Sequence, residues 1–64
     1  MTPNISTVET ILRRGGVWRY RDLQQEAMDI TGDSEKRNRI GGFLDKLMKL
    51  GKVERVRYAH YRWI

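Results

Sequence analysis

The side chains of this sequence best equipped for chemistry are cations, and they are gathered in one half of it. Residues 35–64 hold nine Lys and Arg against three Asp and Glu, a net +6, whereas residues 1–34 hold four against five, a net −1. A segment of that sign attracts a polyanion, either nucleic acid or an anionic membrane surface. The cations form two clusters: Lys36, Arg37 and Arg39 around Asn38, with Lys46 further on, and Arg55, Arg57 and Arg62 around Tyr58 and His60. Arginine offers a rigid fork of donors to paired acceptors, while lysine acts as a point charge.

Other chemistries find no support in the residue types present. With no cysteine and one histidine, His60, the chain cannot build a disulfide framework, a zinc finger or a thiol nucleophile. No glycine-rich loop follows a strand to cradle phosphate, and the glycine pairs at 15–16 and 41–42 match no such motif. We therefore expect no enzyme, no metal, no cofactor and no small-molecule ligand. The longest apolar strings are pairs such as Ile11-Leu12 and Phe43-Leu44, against roughly 18 residues needed to span a bilayer. The expectation is a cytoplasmic chain with no membrane partner and no signal peptide.

Sixty-four residues and a net charge of +5 suit one small module over residues 1–64. Ile5, Val8, Ile11 and Leu12 recur at helical spacing, with Thr2-Pro3 or the Ser6–Glu9 stretch as alternative starts and Gly15-Gly16 as the stop. Val17-Trp18-Arg19 is β-prone but too short to stand except as a strand added to another pair. Tyr20, Leu23, Ala27 and Ile30 form the apolar stripe of a second helix that Gly32 closes. Asp33 or Ser34 can cap a third helix over about 34–50, whose apolar positions are Ile40, Phe43, Leu44, Leu47 and Met48. Its opposite face carries Asn38, Gly42, Asp45 and Lys49, with Arg39 and Lys46 on the shoulder.

Val53 to Ile64 is rich in β-branched and aromatic residues and reads as a hairpin. With Ala59-His60 as the turn, Val56 opposes Trp63 and Tyr58 opposes Tyr61 on an apolar face, leaving Arg55, Arg57 and Arg62 on a basic one with Ile64. A longer loop around Tyr58 to Tyr61 is the alternative, because Ala-His lacks the Gly or Asn that a primed turn prefers.

Helix, short strand, helix, helix and hairpin is the order of elements that resembles the winged helix-turn-helix family. The residues carrying the resemblance are Ile40, Leu44, Leu47, Gly51, Val53, Tyr61 and Trp63, together with Val17-Trp18 as a short first strand and Tyr20 with Leu23 opening the second helix. It spans nearly the whole chain and implies an α+β fold: three helices, a short first strand and a C-terminal β-hairpin wing. Gln24 departs from the alanine common in the family, and the second helix is longer than usual. Gly41-Gly42 also departs from it, since each glycine inside a helix costs about 1 kcal/mol relative to alanine. Either the pair keeps a bare helix surface for close approach to DNA or a partner, or the helix begins later than residue 34.

The resemblance implies sequence-specific binding of double-stranded DNA, with the third helix in the major groove and the wing, 53–64, on the backbone or minor groove. Arg37 and Arg39 suit guanine and Asn38 suits adenine, while Lys36 and Lys46 suit phosphate. Arg55, Arg57 and Arg62 on the wing suit phosphates, with Tyr58 and His60 near its tip. A bare DNA-binding module of this size fits a small transcriptional regulator of bacterial or phage type, bound as two copies on adjacent half-sites (a homodimer) or beside a protein partner. The alternative is a winged-helix protein-interaction module docking on a transcription or replication complex. Each residue also has a plain role: a solvated helix face for Lys36 to Arg39 and Lys46, protection of a sheet edge for Arg57 and Arg62, an exposed turn for His60. Trp18, Tyr20, Tyr61 and Trp63 are read as core rather than as a stacking platform.

Overall fold

A computed structural model describes residues 3–32 and 40–64 of the chain. The expected caps Asp33 and Ser34 and the site residues Lys36, Arg37, Asn38 and Arg39 lie outside the described residues.

Helix α1 (Ile5–Leu12) begins at neither of the starts expected from the sequence. Asn4 is its N-cap: its side chain accepts from the Thr7 N–H at 3.1 Å, and the Thr7 hydroxyl accepts from the Asn4 N–H at 3.4 Å. This reciprocal box satisfies two donors at the helix start, and Thr7 fills the place that Glu or Gln usually takes. Past the helix, Gly15 and Gly16 both adopt positive φ, 97° and 80°, and turn the chain into strand β1 (Val17–Arg19).

Helix α2 (Tyr20–Thr31) follows with no loop at all, and Gly32 closes it in the left-handed conformation. Its N-cap residue, Arg19, makes no side-chain cap. One orphan donor of the first turn is met from a distance instead, since the Tyr20 N–H donates to the Ala59 carbonyl at 2.8 Å. Leu23 and Ala27 are buried as the stripe requires, but Ile30 is 49% exposed. The stripe continues; its cover does not. Ile30 shares a shallow groove with Asn4, Ser6, Thr7 and Thr10, so α1 offers it a polar flank.

Helix α3 (Ile40–Lys49) contains Gly41 and Gly42 and buries Ile40, Leu44 and Leu47. Strands β2 (Val53–Arg57) and β3 (His60–Trp63) form the hairpin, and β1 joins β3 to give an antiparallel sheet of order β1-β3-β2. Among the described residues the chain is thus a small α+β domain of three helices and a three-stranded antiparallel sheet. The core lies between them: Val8, Ile11 and Leu12 from α1, Leu23 and Ala27 from α2, the three α3 residues, and Val53 from β2, each 2% exposed or less. Trp18, Tyr20, Phe43, Tyr61 and Trp63 pack around that centre half-buried, the role expected of the aromatics.

The hairpin register differs from the expected one. Val53 opposes Trp63, Glu54 opposes Arg62 and Arg55 opposes Tyr61, after which a bulge at Val56 lets Arg57 pair with His60. The turn is Tyr58-Ala59, one residue earlier than Ala59-His60, and its second residue, Ala59, takes a positive φ of 59°. Val56 therefore does not face Trp63; it is the extra residue of the bulge and is 42% exposed.

Leu44 is 1% exposed in the middle of this core. A buried Leu→Ala change costs about 2–5 kcal/mol, against a total of roughly 0.05–0.15 kcal/mol per residue for a domain. Leu44→Ala should leave much of the protein unfolded at 25 °C, seen as a loss of helical circular dichroism and a collapsed urea midpoint. Gly42→Ala should act in the opposite direction, raising stability by up to about 1 kcal/mol, because a Cβ there meets no atom within 4 Å.

Candidate nucleic-acid interface

The basic residues separate by their partners. In the first half of the chain Arg14 lies 3.0 Å from Glu26, Arg19 lies 2.9 Å from Asp22, and Arg13 stands 4.0 Å from Glu9 and 5.8 Å over the Trp63 ring. In the second half Arg62 pairs with Glu54, directly across the β2–β3 ladder. Arg21, Lys46, Lys49, Lys52, Arg55 and Arg57 have no carboxylate partner among the described residues. Exposed ion pairs contribute little to stability, about 0–1 kcal/mol each, but they cancel a field. Most of the uncancelled positive charge belongs to α3 and the hairpin.

The sheet does not gather Arg55, Arg57 and Arg62 on one face as the expected register required. Paired residues of an antiparallel ladder share a face, so Arg55 belongs with Trp18 and Tyr61 on the core side, while Glu54 and Arg62 belong with Val17 on the outer side. The row of Arg57, His60 and Arg19 lies beyond the bulge at the far end of the sheet. Arg55 is exposed nonetheless, because it stands two residues past Val53, where the core has ended.

At that end Tyr20, Arg55, Tyr58, Ala59 and Tyr61 line one open groove of about 250 Å³. The turn above it is held from two directions. The Tyr20 N–H binds the Ala59 carbonyl, and Nδ1 of His60 lies 2.7 Å from the Tyr58 carbonyl oxygen. Since a carbonyl only accepts, that ring nitrogen carries the proton and donates. His60 is half-buried and its Nδ1 is engaged within the hairpin. Tyr58, by contrast, is 87% exposed.

Tyr20 also brings α3 to the same end of the molecule. Its hydroxyl lies 3.6 Å from where a Cβ on Gly41 would stand, so the start of the described α3 abuts the groove wall. One and two turns further along, Lys46 and Lys49 are exposed on the face that Gly42 begins, with the exposed Asp45 just before Lys46. Of the residues expected to form the site, Arg55, Tyr58 and the hairpin turn are thus brought together, Arg57 stands beside them, and Arg62 is turned to the outer face against Glu54. Sequence reasoning missed Tyr20 as the element that joins them, having counted it as core. A tyrosine at the first position of a helix, directly after a strand, was the available signal.

No helix among the described residues is long and apolar enough to cross a membrane, and none of their His, Asp and Glu side chains cluster in threes to hold a metal ion. What the fold and the groove define is a small α+β domain with an uncompensated cationic hairpin end. In comparisons with known proteins the chain matches no family model, no curated protein and no solved structure.

The turn generates a test of its own geometry. A left-handed non-glycine residue costs about 1–2 kcal/mol, part of which glycine gives back through the greater freedom of its unfolded chain. Ala59→Gly should raise the thermal midpoint, with a gain of up to about 1 kcal/mol, while the β-branched Ala59→Val should lower it.

Proposed function

We propose that the protein is a winged helix-turn-helix domain that binds double-stranded DNA, with the third helix, about 34–50, in the major groove and the hairpin, 53–64, as the wing on the backbone or minor groove. The observation that carries this reading is the pairing pattern of the charges. Three of the four first-half arginines, 13, 14 and 19, are each balanced by a carboxylate of the same half, Arg21 being the exception, whereas Lys46, Lys49, Lys52, Arg55 and Arg57 have no such partner among the described residues. Uncompensated, exposed cations supply the counterion-releasing contacts that dominate DNA affinity. Further support comes from the element order, and from a short first strand that completes the sheet beside the hairpin.

In this reading Arg37, Asn38 and Arg39 read base edges, Lys36 and Lys46 hold phosphates, and Arg55 and Arg57 anchor the wing. Arg62 contributes less, because Glu54 already neutralises it. A single copy makes few base contacts, so two copies on adjacent half-sites fit a small transcriptional regulator best.

One observation favours a second reading, that of a protein-docking module. Val17 and Ile64 are 52% and 68% exposed. Ile64 lies two residues beyond Arg62, the partner of Val17, which places both apolar side chains on the outer face of the sheet.

Duplex titrations at several salt concentrations separate the two. A DNA binder loses affinity log-linearly with salt, and Arg57→Ala or Lys46→Ala should each reduce that slope by about 1 while weakening all sequences alike. Arg62→Ala should change the slope less than Arg57→Ala. Asn38→Ala should alter which sequence is preferred. Absence of binding at low salt, or an unchanged affinity in Arg37→Ala and Arg39→Ala, rejects binding through the third helix. Retention of DNA binding in Val17→Lys with loss of a protein partner would instead favour the docking surface.

A further inference from the structure

We infer that the hairpin tip is a stacking site for one unpaired nucleobase, with Tyr58 as the platform and Arg55 and Arg57 holding the phosphates that flank it. The inference goes beyond duplex binding and rests on that reading only for the nature of the partner, a nucleic acid.

The first support is the ring itself. Tyr58 is 87% exposed, more than any other large apolar side chain among the described residues, and it stands on the turn rather than against the core. The turn backbone is held at two successive carbonyls: that of Tyr58 accepts from His60 at 2.7 Å, and that of Ala59 accepts from Tyr20 at 2.8 Å. Ala59 holds the strained φ of 59° that this turn requires. Strained backbone held in place by its surroundings clusters at functional sites, and here a long-range hydrogen bond from Tyr20 holds Ala59. Here the presented group is an exposed aromatic ring.

The second support is the shape of the groove. Its volume of about 250 Å³ falls below the roughly 300–1,000 Å³ of sites for drug-sized ligands. Three of its five lining residues are tyrosines, Tyr20, Tyr58 and Tyr61. Such a space suits one flat ring rather than a whole cofactor.

The third is charge. Arg55 lines the groove and Arg57 adjoins the turn, neither with a carboxylate partner, while Glu54, the one acidic residue of the hairpin, is engaged by Arg62. An occupant that is planar and carries anionic groups on either side is a nucleotide within a strand. Bases inside a duplex have both faces covered by their neighbours, so the base must come from an overhang, a gap or a frayed end.

Fluorescence anisotropy with the full chain and three probes tests this: a blunt duplex, the same duplex with a short oligothymidylate tail, and the oligothymidylate alone. The tail should tighten binding by about five- to a hundred-fold, the range that one stacked base confers. Tyr58→Ala should bring the ratio of tailed to blunt affinity down to about one, whereas Tyr58→Phe and Tyr58→Trp should keep the gain, because stacking needs the ring and not the hydroxyl. Unchanged thermal melting of the variants shows that the turn is intact.

A tail that adds nothing while the blunt duplex binds overturns the inference and leaves duplex binding standing. Oligothymidylate binding that depends on Tyr58, with no affinity for the blunt duplex, upholds the inference and removes duplex binding. Equal losses on blunt and tailed probes in Tyr58→Ala overturn it by making Tyr58 a duplex contact. Silence from all three probes overturns both and leaves the tip to a protein partner.

Discussion

The arrangement depends most on the hydrogen bond from the Tyr20 N–H to the Ala59 carbonyl, 2.8 Å long. It ties residue 20 to residue 59, and so fixes the hairpin turn to the one point where a strand becomes a helix without a loop. From that point the chain runs in two directions. Upstream, Trp18 and Arg19 pair with Tyr61 and His60, which makes β1 the third strand of the sheet; downstream, α2 carries Leu23 and Ala27 into the core. The side chain of the same residue reaches the start of the described α3 at Gly41. An α2 with no side-chain cap thus has its first donor satisfied by the very element whose position matters for the groove.

Electrostatics and packing divide along the same line. The α1–α2 half engages three of its four arginines, all but Arg21: the Arg14–Glu26 pair ties the turn after α1 to α2, the Arg19–Asp22 pair sits at the first turn of α2, and Arg13 lies over Trp63. These exposed pairs add little stability. Their consequence is a supporting half with little field of its own, set beside α3 and a hairpin whose cations face water. A charge total of +5 says only that a polyanion is welcome, while the pairing says where it would be met.

The helices were legible because burial on a helix is periodic, and period survives in a sequence. Leu23, Ala27, Ile40, Leu44 and Leu47 all lie where their spacing puts them, and Gly32 and Gly51 take the left-handed closures expected of them. Asn4 was less legible, since Thr2 and Ser6 nearby could each also have capped α1 and only the backbone path decides between them. Ile30 obeyed its stripe and was still half exposed, because burial also requires an apolar surface opposite, which α1 does not offer at Ser6, Thr7 and Thr10. Lys36 to Arg39, the cluster that drew the reading toward base contacts, lies outside the described residues, so the groove around Tyr58 is the part of the site with a geometry.

The hairpin register was the feature that local sequence could not supply. A tight turn with a residue at positive φ usually signals it with Gly or Asn. This turn uses alanine, at a cost of about 1–2 kcal/mol, and offsets it with hydrogen bonds from Tyr20, nearly forty residues away in the chain, and from His60. Moving the turn by one residue, with the bulge at Val56, changes which side chains share a face. In the register expected from alternation alone, Tyr58 would have lain inward against Tyr61 and the three arginines would have made a single cationic face. The observed register instead frees Tyr58 into solvent, sets Arg55 beside it and turns Arg62 away to Glu54. A strained alanine, its distant hydrogen bond from Tyr20 and the local one from His60 to Tyr58 therefore decide whether the end of the hairpin is a plain basic surface or a surface that also presents an aromatic ring, and it is the second that was built.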